Sequence, residues 1–489
     1  MQYQAMSSSL ALAELKRARN LRNRKRAIMT DNNHLSLSGV MPHLALSAEL
    51  GPPRSECGIG AMMAWAGSLW LVTYVSHKSP SGVGTGLYRI DERLEISKHP
   101  QSYVGTYTNR MAHFESNQCF IGPYVIDAQG NARTIEALRE VRLCATMRHL
   151  HDPENKVYML GMEGEFYELD VHSLQPTWLA DLTIELGLPD HQYAHFKAAY
   201  SNFGRVIVAN NSYDERDFLG TEAAGRLAEW DGENWRIIER SPFIEVNGRG
   251  NFAGTIFAMG WDKRSAILQV YTEADGQWKR YRLPKASHCF DHMWQTEWPR
   301  IREVDHERFI LDCHGMFYEL SPWAYENHIW GVRPISTHLW VLGDFCTYRG
   351  MLVLGSDNAS PHHGANQLAG EPQSGLYFGK TDDLWSFGKP AGWGGVWWED
   401  AVVKDEASDP YLMTGFDQKT LHLCNDGGQP VQFSIEVDFL GNGTWKTYRK
   451  LDVAPGAYAH HAFPPGYSAH WVRLRSSENC IATAYFTYT

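Results

Sequence analysis

One short pattern returns seven times along this chain: an apolar residue, an aromatic or polar one, a third residue, a second apolar one, then usually Asp and a turn. It reads Leu87-Tyr88-Arg89-Ile90-Asp91, Tyr124-Val125-Ile126-Asp127, Phe166-Tyr167-Glu168-Leu169-Asp170 and Leu227-Ala228-Glu229-Trp230-Asp231. The last three copies are Leu268-Gln269-Val270-Tyr271-Thr272, Phe317-Tyr318-Glu319-Leu320-Ser321 and Leu376-Tyr377-Phe378-Gly379-Lys380. Alternation with a period of two marks a strand with one face in a core. An apolar strand precedes each copy, as in Trp70-Leu71-Val72-Thr73-Tyr74 and Arg205-Val206-Ile207-Val208-Ala209. Asp231-Gly232 before Trp235 and Asp275-Gly276 before Trp278 read as two-residue hairpin turns, because Asp-Gly takes up positive φ angles readily. Seven copies at blade spacing predict an all-β chain with a seven-bladed β-propeller over residues 51–408. WD, kelch and sialidase Asp-box signatures are absent, so the blade count rests on the pattern.

The texture changes after Asp409-Pro410. Six short alternating strands, with turns at Asn442-Gly443 and Pro464-Pro465-Gly466, predict a β-sandwich over residues 409–489. Bracing the propeller is the favoured role for it, ahead of independent carbohydrate binding. Residues 1–50 read as a basic lead-in, either an amphipathic helix or a solvated segment.

The formal charge of −11 is uneven. Residues 1–30 concentrate Lys16, Arg17, Arg19, Arg22, Arg24, Lys25 and Arg26 against one acid, Glu14, so the remainder is more acidic still. A body of that sign is no nucleic-acid binder, since phosphate needs a basic face. The 18 Trp, 23 Tyr and 20 Phe supply core between blades, with a minority available for sugar stacking. The eight cysteines form no close pair, which predicts buried free thiols rather than a zinc knuckle or disulfide framework. No apolar run reaches membrane-spanning length, and no signal peptide is seen. The expectation is a protein away from the membrane, cytoplasmic or exported by a signal outside this sequence.

In a propeller the first strand of each blade lines the axial channel. The segments expected there are polar: Asn109-Arg110-Met111-Ala112-His113, Met147-Arg148-His149, His195-Phe196-Lys197 with Tyr200, Arg249-Gly250-Asn251, and His292-Met293-Trp294 through Trp298. His77-Lys78 ends a strand of the first blade, and His314 falls in the sixth. An unpaired buried charge is costly, so several blades spending such residues at equivalent places suggests one shared pocket. Any single histidine among 22 is more often structural. His113 and His149 stand out because each closely follows an Arg. Arg110 and Arg148 are expected to hold a carboxylate, and His149, His113 or His195 to transfer protons with Tyr200. Lys197, Arg249, His292 and His77 complete the binding set, with Trp294 and Trp298 as a sugar wall or core. Cations and imidazoles without an obvious carboxylate pair favour a lyase, which acidifies C5 of a uronate, over a hydrolase, which needs two flanking carboxylates.

Four stretches resemble polysaccharide lyase family 27. They are Gly67-Ser68-Leu69-Trp70-Leu71-Val72-Thr73-Tyr74-Val75-Ser76-His77-Lys78, Thr146-Met147-Arg148-His149-Leu150, Phe290-Asp291-His292-Met293-Trp294-Gln295-Thr296-Glu297-Trp298, and Gly343-Asp344-Phe345-Cys346-Thr347-Tyr348-Arg349-Gly350. The likeness runs from about residue 56 to 400 or beyond. It implies a seven-bladed propeller that removes terminal L-rhamnose from O4 of D-glucuronic acid on arabinogalactan, leaving a 4,5-unsaturated uronate. The expected partner is therefore a saccharide containing uronic acid, with no cofactor required. Three rivals stand beside this reading: a lyase using a divalent metal held by channel histidines, a non-catalytic sugar- or protein-binding propeller, and a glycoside hydrolase. No local ligand spacing supports the metal.

Overall fold

The computed structural model describes residues 38–40, 44, 46–47, 56–75, 86–212, 225–249, 254–287, 298–305, 308–321, 324–325, 328–329, 331–359 and 373–489. Nearly all of them are in strands or turns, and the chain is a β-propeller followed by two further sheets.

Seven antiparallel units of four strands follow one another among the described residues, the first and seventh joined where Glu56 and Cys57 pair with Ala359 and Asn358. Their first strands are Glu56–Trp65, Arg110–His113, Leu143–Arg148, Phe196–Asn202, Phe243–Gly248, Arg300–Asp305 and Val341–Tyr348. Each first strand touches the next, and the seventh touches the first, so the sheets close into a ring. Gly39–Val40 supplies the outer strand of the seventh sheet by pairing with Leu376–Gly379. Residues within the basic lead-in thus take part in the ring.

Every copy of the sequence repeat falls on a third strand. The Asp that ends four copies has a structural task. Asp91, Asp127, Asp170 and Asp231 each accept, through Oδ1, two backbone N–H groups of the turn that follows. These bonds satisfy turn amides the ladder cannot reach, and they hold all four carboxyls below the usual range. Alternation is used on both faces. In Arg205–Asn210, Val206 and Val208 pack toward the third sheet, whereas Ile207 and Ala209 pack toward the fifth. Each Val or Ile buried this way stabilises the fold by about 1.5–3 kcal/mol.

Besides two short ribbons, Leu46–Ser47 with Gln373–Ser374 and Ala324–Tyr325 with His328–Ile329, two C-terminal sheets pack over one core in which Phe433, Ile435 and Leu474 of one meet Leu421, Leu423 and Phe486 of the other. Gly392–Val402, N-terminal to Asp409-Pro410, already belongs to this pair through its partner Cys480–Tyr488. Tyr411 pairs in parallel with Arg282, so the fifth sheet of the ring runs on into the C-terminal sheets. Arg282, fully buried, clamps the junction by donating to Asp262 and Asp409, while Arg264 binds both oxygens of Asp400. Cys119, Cys144, Cys313, Cys346 and Cys480 are buried free thiols. Burial pushes Cys119 and Cys346 up to about 12. No helix among the described residues is long and apolar enough to cross a membrane.

Candidate functional site

A cavity of about 730 Å³ opens along the ring axis, walled by first strands. Strand alternation sends every second side chain of those strands toward it. Five cations line it, Arg110, Arg148, Lys197, Arg300 and Arg302, against two carboxylates, Glu245 and Glu303. Behind the wall lies Asp344, which is fully buried.

Asp344 organises the axis. Its Oδ2 accepts from Arg110 Nε at 2.8 Å and from the Met62 amide at 2.7 Å, and its Oδ1 accepts from Arg302 Nε at 2.7 Å. Arg302 also reaches Glu245 at 3.2 Å, and Arg300 Nη1 lies 3.7 Å from the same carboxylate. Five sheets therefore meet in one network of buried charges. Burial acts to raise the Asp344 carboxyl, but the guanidiniums of Arg110 and Arg302 outweigh it and hold the group below its ordinary range. Glu245 goes the other way: burial raises it, against the pull of Arg302 and Arg300.

The structure brings Arg110, Arg148, Lys197 and Tyr200 to the lining of one cavity. The Lys197 ammonium sits 4.9 Å from the ring centroid of Trp298. Arg148 is more than half exposed and pairs with Glu115. The Tyr200 hydroxyl donates to the Gly248 carbonyl at 2.9 Å, and burial pushes the phenol up to about 12. Tyr200 is thus a protonated donor at neutral pH.

The histidines depart from expectation. Neither His113 nor His149 lines the cavity. His149 Nδ1 accepts from the amides of His151 and Asp152, so Nε2 carries the proton and donates to Glu168 at 2.8 Å. The ring stacks on Tyr158. His113 Nε2 donates to the Pro153 carbonyl at 2.7 Å, and Nδ1 accepts from Ser116. Both rings cap turns with both nitrogens occupied, which removes them as proton carriers for a ligand in the cavity. His195 lies just before its strand, away from the lining. Arg249 is likewise outside the lining, its Nη1 3.5 Å from Glu303. Trp298 is buried at 3 % exposure between Lys197, Arg300 and Tyr74, so it backs the cations and offers no open face to a sugar. His77, His292 and Trp294 lie outside the described residues.

Glu245, Arg300, Arg302 and Asp344 were not singled out from the sequence. The Arg300-Ile301-Arg302 alternation was the available signal, since i and i+2 share a strand face. Phe114 was also missed; it lines the cavity at 77 % exposure and so marks its mouth. Among the described residues no group of three or more His, Cys, Asp or Glu is placed to hold a metal ion.

No family model matches the chain, and no curated protein matches it. Solved structures do. The Cps50 (Swd1) β-propeller domain of Myceliophteria thermophila is similar at 9 % identity and a TM-score of 0.40, over 65 % of this chain and 95 % of that one. U3-55K is similar at 9 % identity and a TM-score of 0.36, over 69 % of this chain and all of that one. The propeller assignment itself stands on the ring of paired sheets.

Proposed function

We propose that the axial cavity binds a saccharide carrying a carboxylate, of the uronic acid class, and that the protein is a sugar-binding propeller. The observation that carries this is the concentration of cations: a chain of formal charge −11 brings five to its axis, and the balance stays positive after Glu245 and Glu303 in the lining, Asp344 behind it and Glu115 beside Arg148 are set against them. A charge-assisted bond to a carboxylate contributes about 1.5–3 kcal/mol where water is excluded. Lys197, on the wall and fixed against Trp298, is the first candidate to meet it. The test is calorimetry with methyl glucuronide and methyl glucoside. Binding of the acid alone, lost in Lys197→Met, supports the reading; equal binding of both sugars, or of neither, ends it.

A second reading, elimination, is favoured by Glu245 and Tyr200 lining the same cavity, together with the resemblance to polysaccharide lyase family 27. In it the Glu245 carboxylate takes the C5 proton, the electron pair forms the C4–C5 double bond, the C4–O4 bond breaks, and Tyr200, on turning its hydroxyl from the Gly248 carbonyl, protonates the departing oxygen. The products are free L-rhamnose and a 4,5-unsaturated uronate. Incubation with rhamnose-capped arabinogalactan separates the readings. Rhamnose and an ultraviolet chromophore released together, and abolished by Glu245→Gln, support elimination; binding without either product supports the non-catalytic propeller.

A further inference from the structure

The two faces that the C-terminal sheets turn to solvent differ in kind. One carries Glu436, which accepts from Arg473 at 2.7 Å and Arg475 at 3.1 Å, with Lys450 and Asp452 on the neighbouring strand. That is the ordinary chemistry of a solvated sheet. The other face is built on Gly392–Val402, Cys480–Tyr488, Lys419–Asn425 and Ala457–Ala462, in that order across the sheet. On the last three of these strands the outward positions are Thr420, His422, Cys424, Tyr458, His460, Ala462, Ile481, Thr483, Tyr485 and Thr487, without one Asp, Glu, Lys or Arg.

Rings are arranged across this face. His422 stands opposite Tyr485 on one side and His460 on the other. At about 4.8 Å between strands this row spans roughly 10 Å, the length of two sugar rings. Tyr458 Oη lies 2.8 Å from His422 Nδ1, and His422 Nε2 lies 3.2 Å from Thr487 Oγ1. A bond at an imidazole nitrogen lies in the ring plane, and the His422 and Tyr458 planes differ by only 22°. The two rings therefore sit edge to edge. His460 follows, within 19° of the Tyr458 plane, and Trp398 flanks Tyr485 at 6.0 Å.

We propose that this ring-lined face, free of charge along its three inner-to-outer strands Cys480–Tyr488, Lys419–Asn425 and Ala457–Ala462, is a binding platform for a neutral saccharide chain, separate from the axial cavity. Aromatic faces with hydroxyl and imidazole edges match the apolar faces and hydroxyl rims of pyranose rings. A charged partner would find no counter-charge among the ten outward positions, and the opposite face, which has such charges, lacks the ring strip. Glu399 stands exposed in a bulge of the edge strand, where its amide donates to Thr483 Oγ1.

The test is affinity electrophoresis of the full chain in gels with and without a soluble, uronate-free galactan. Wild type and Lys197→Met are expected to be retarded equally, which keeps the outcome independent of the axial cavity. Tyr458→Ala/His460→Ala is expected to bind at least tenfold more weakly at an unchanged melting temperature, because both residues are exposed. Tyr458→Phe is expected to keep most of the retardation. Unretarded wild type, or a double variant retarded like wild type, overturns the proposal. So does wild-type self-association in sedimentation that Tyr458→Ala abolishes, since the face would then be a contact between copies.

Discussion

Replacing Asp344 by Asn tests the reading of the axis most directly. The carboxylate uses one oxygen for Arg302 and the other for Arg110 and Met62. An amide replaces only one oxygen; its NH2 must then face a guanidinium or an amide donor. Either way a buried cation loses its counter-charge and meets a donor. Breaking a buried pair on one side costs about 3–5 kcal/mol, and the full burial of Asp344 leaves little solvent to screen the loss. Exposure sets the control: Glu115→Gln breaks the half-exposed pair with Arg148 and should cost about 0–1 kcal/mol. Urea unfolding followed by tryptophan fluorescence, at equal denaturant slope, reads the difference. If Asp344→Asn were as stable as Glu115→Gln to within about 1 kcal/mol, the axial network would be decoration and its role in holding five sheets together would be wrong.

Three further outcomes are expected. His149→Ala should leave uronate binding in the calorimeter unchanged while lowering stability by about 1–3 kcal/mol, since it removes a turn cap and the donor to Glu168; loss of binding with intact stability would return His149 to the site. His314→Asn should flatten the acid side of the stability profile. Burial depresses His314 well below its ordinary 6.5, so its contribution is fully present above that value and is lost as pH falls through the lower folded-state value. Neither His314 ring nitrogen meets a hydrogen-bond partner among the described residues, and at φ 49° with Gly315 at 81° the turn suits Asn-Gly better than His-Gly; an unchanged pH slope in chemical denaturation would contradict this. Asp127→Ala should destabilise the second sheet by about 1 kcal/mol, and proteolysis no faster in its turn than in wild type would count against the capping role.

The third strands were legible because a period of two and a terminal Asp are local properties of the chain. Ring closure could be inferred from their number, although the outer strand at Gly39–Val40 carries no comparable signal. The axial cations were legible for the same reason: Arg110, Arg148 and Lys197 are improbable in a strand packed between blades unless they face a shared space. The error at His113 was one of parity. Arg110 and His113 are three apart on one strand, and odd separations point to opposite faces. Finding Arg110 at the axis therefore argued against His113 being there. His149 follows Arg148, the last residue of its strand, and turns back as a cap. Asp344 was hidden for another reason: a lone acid in Gly343-Asp344-Phe345 reveals its task only when Arg110 and Arg302 arrive from distant sheets.

The unbroken run of strands from the fifth sheet into the C-terminal pair has a mechanical consequence. Backbone pairing at Arg282 and Tyr411 and the buried Arg282 clamp leave no free linker at that junction. A polymer touching both the axis and the far sheets would meet a spacer of fixed length, not two tethered modules searching a volume. Any gain in avidity would then depend on whether the polymer's own repeat matches that span.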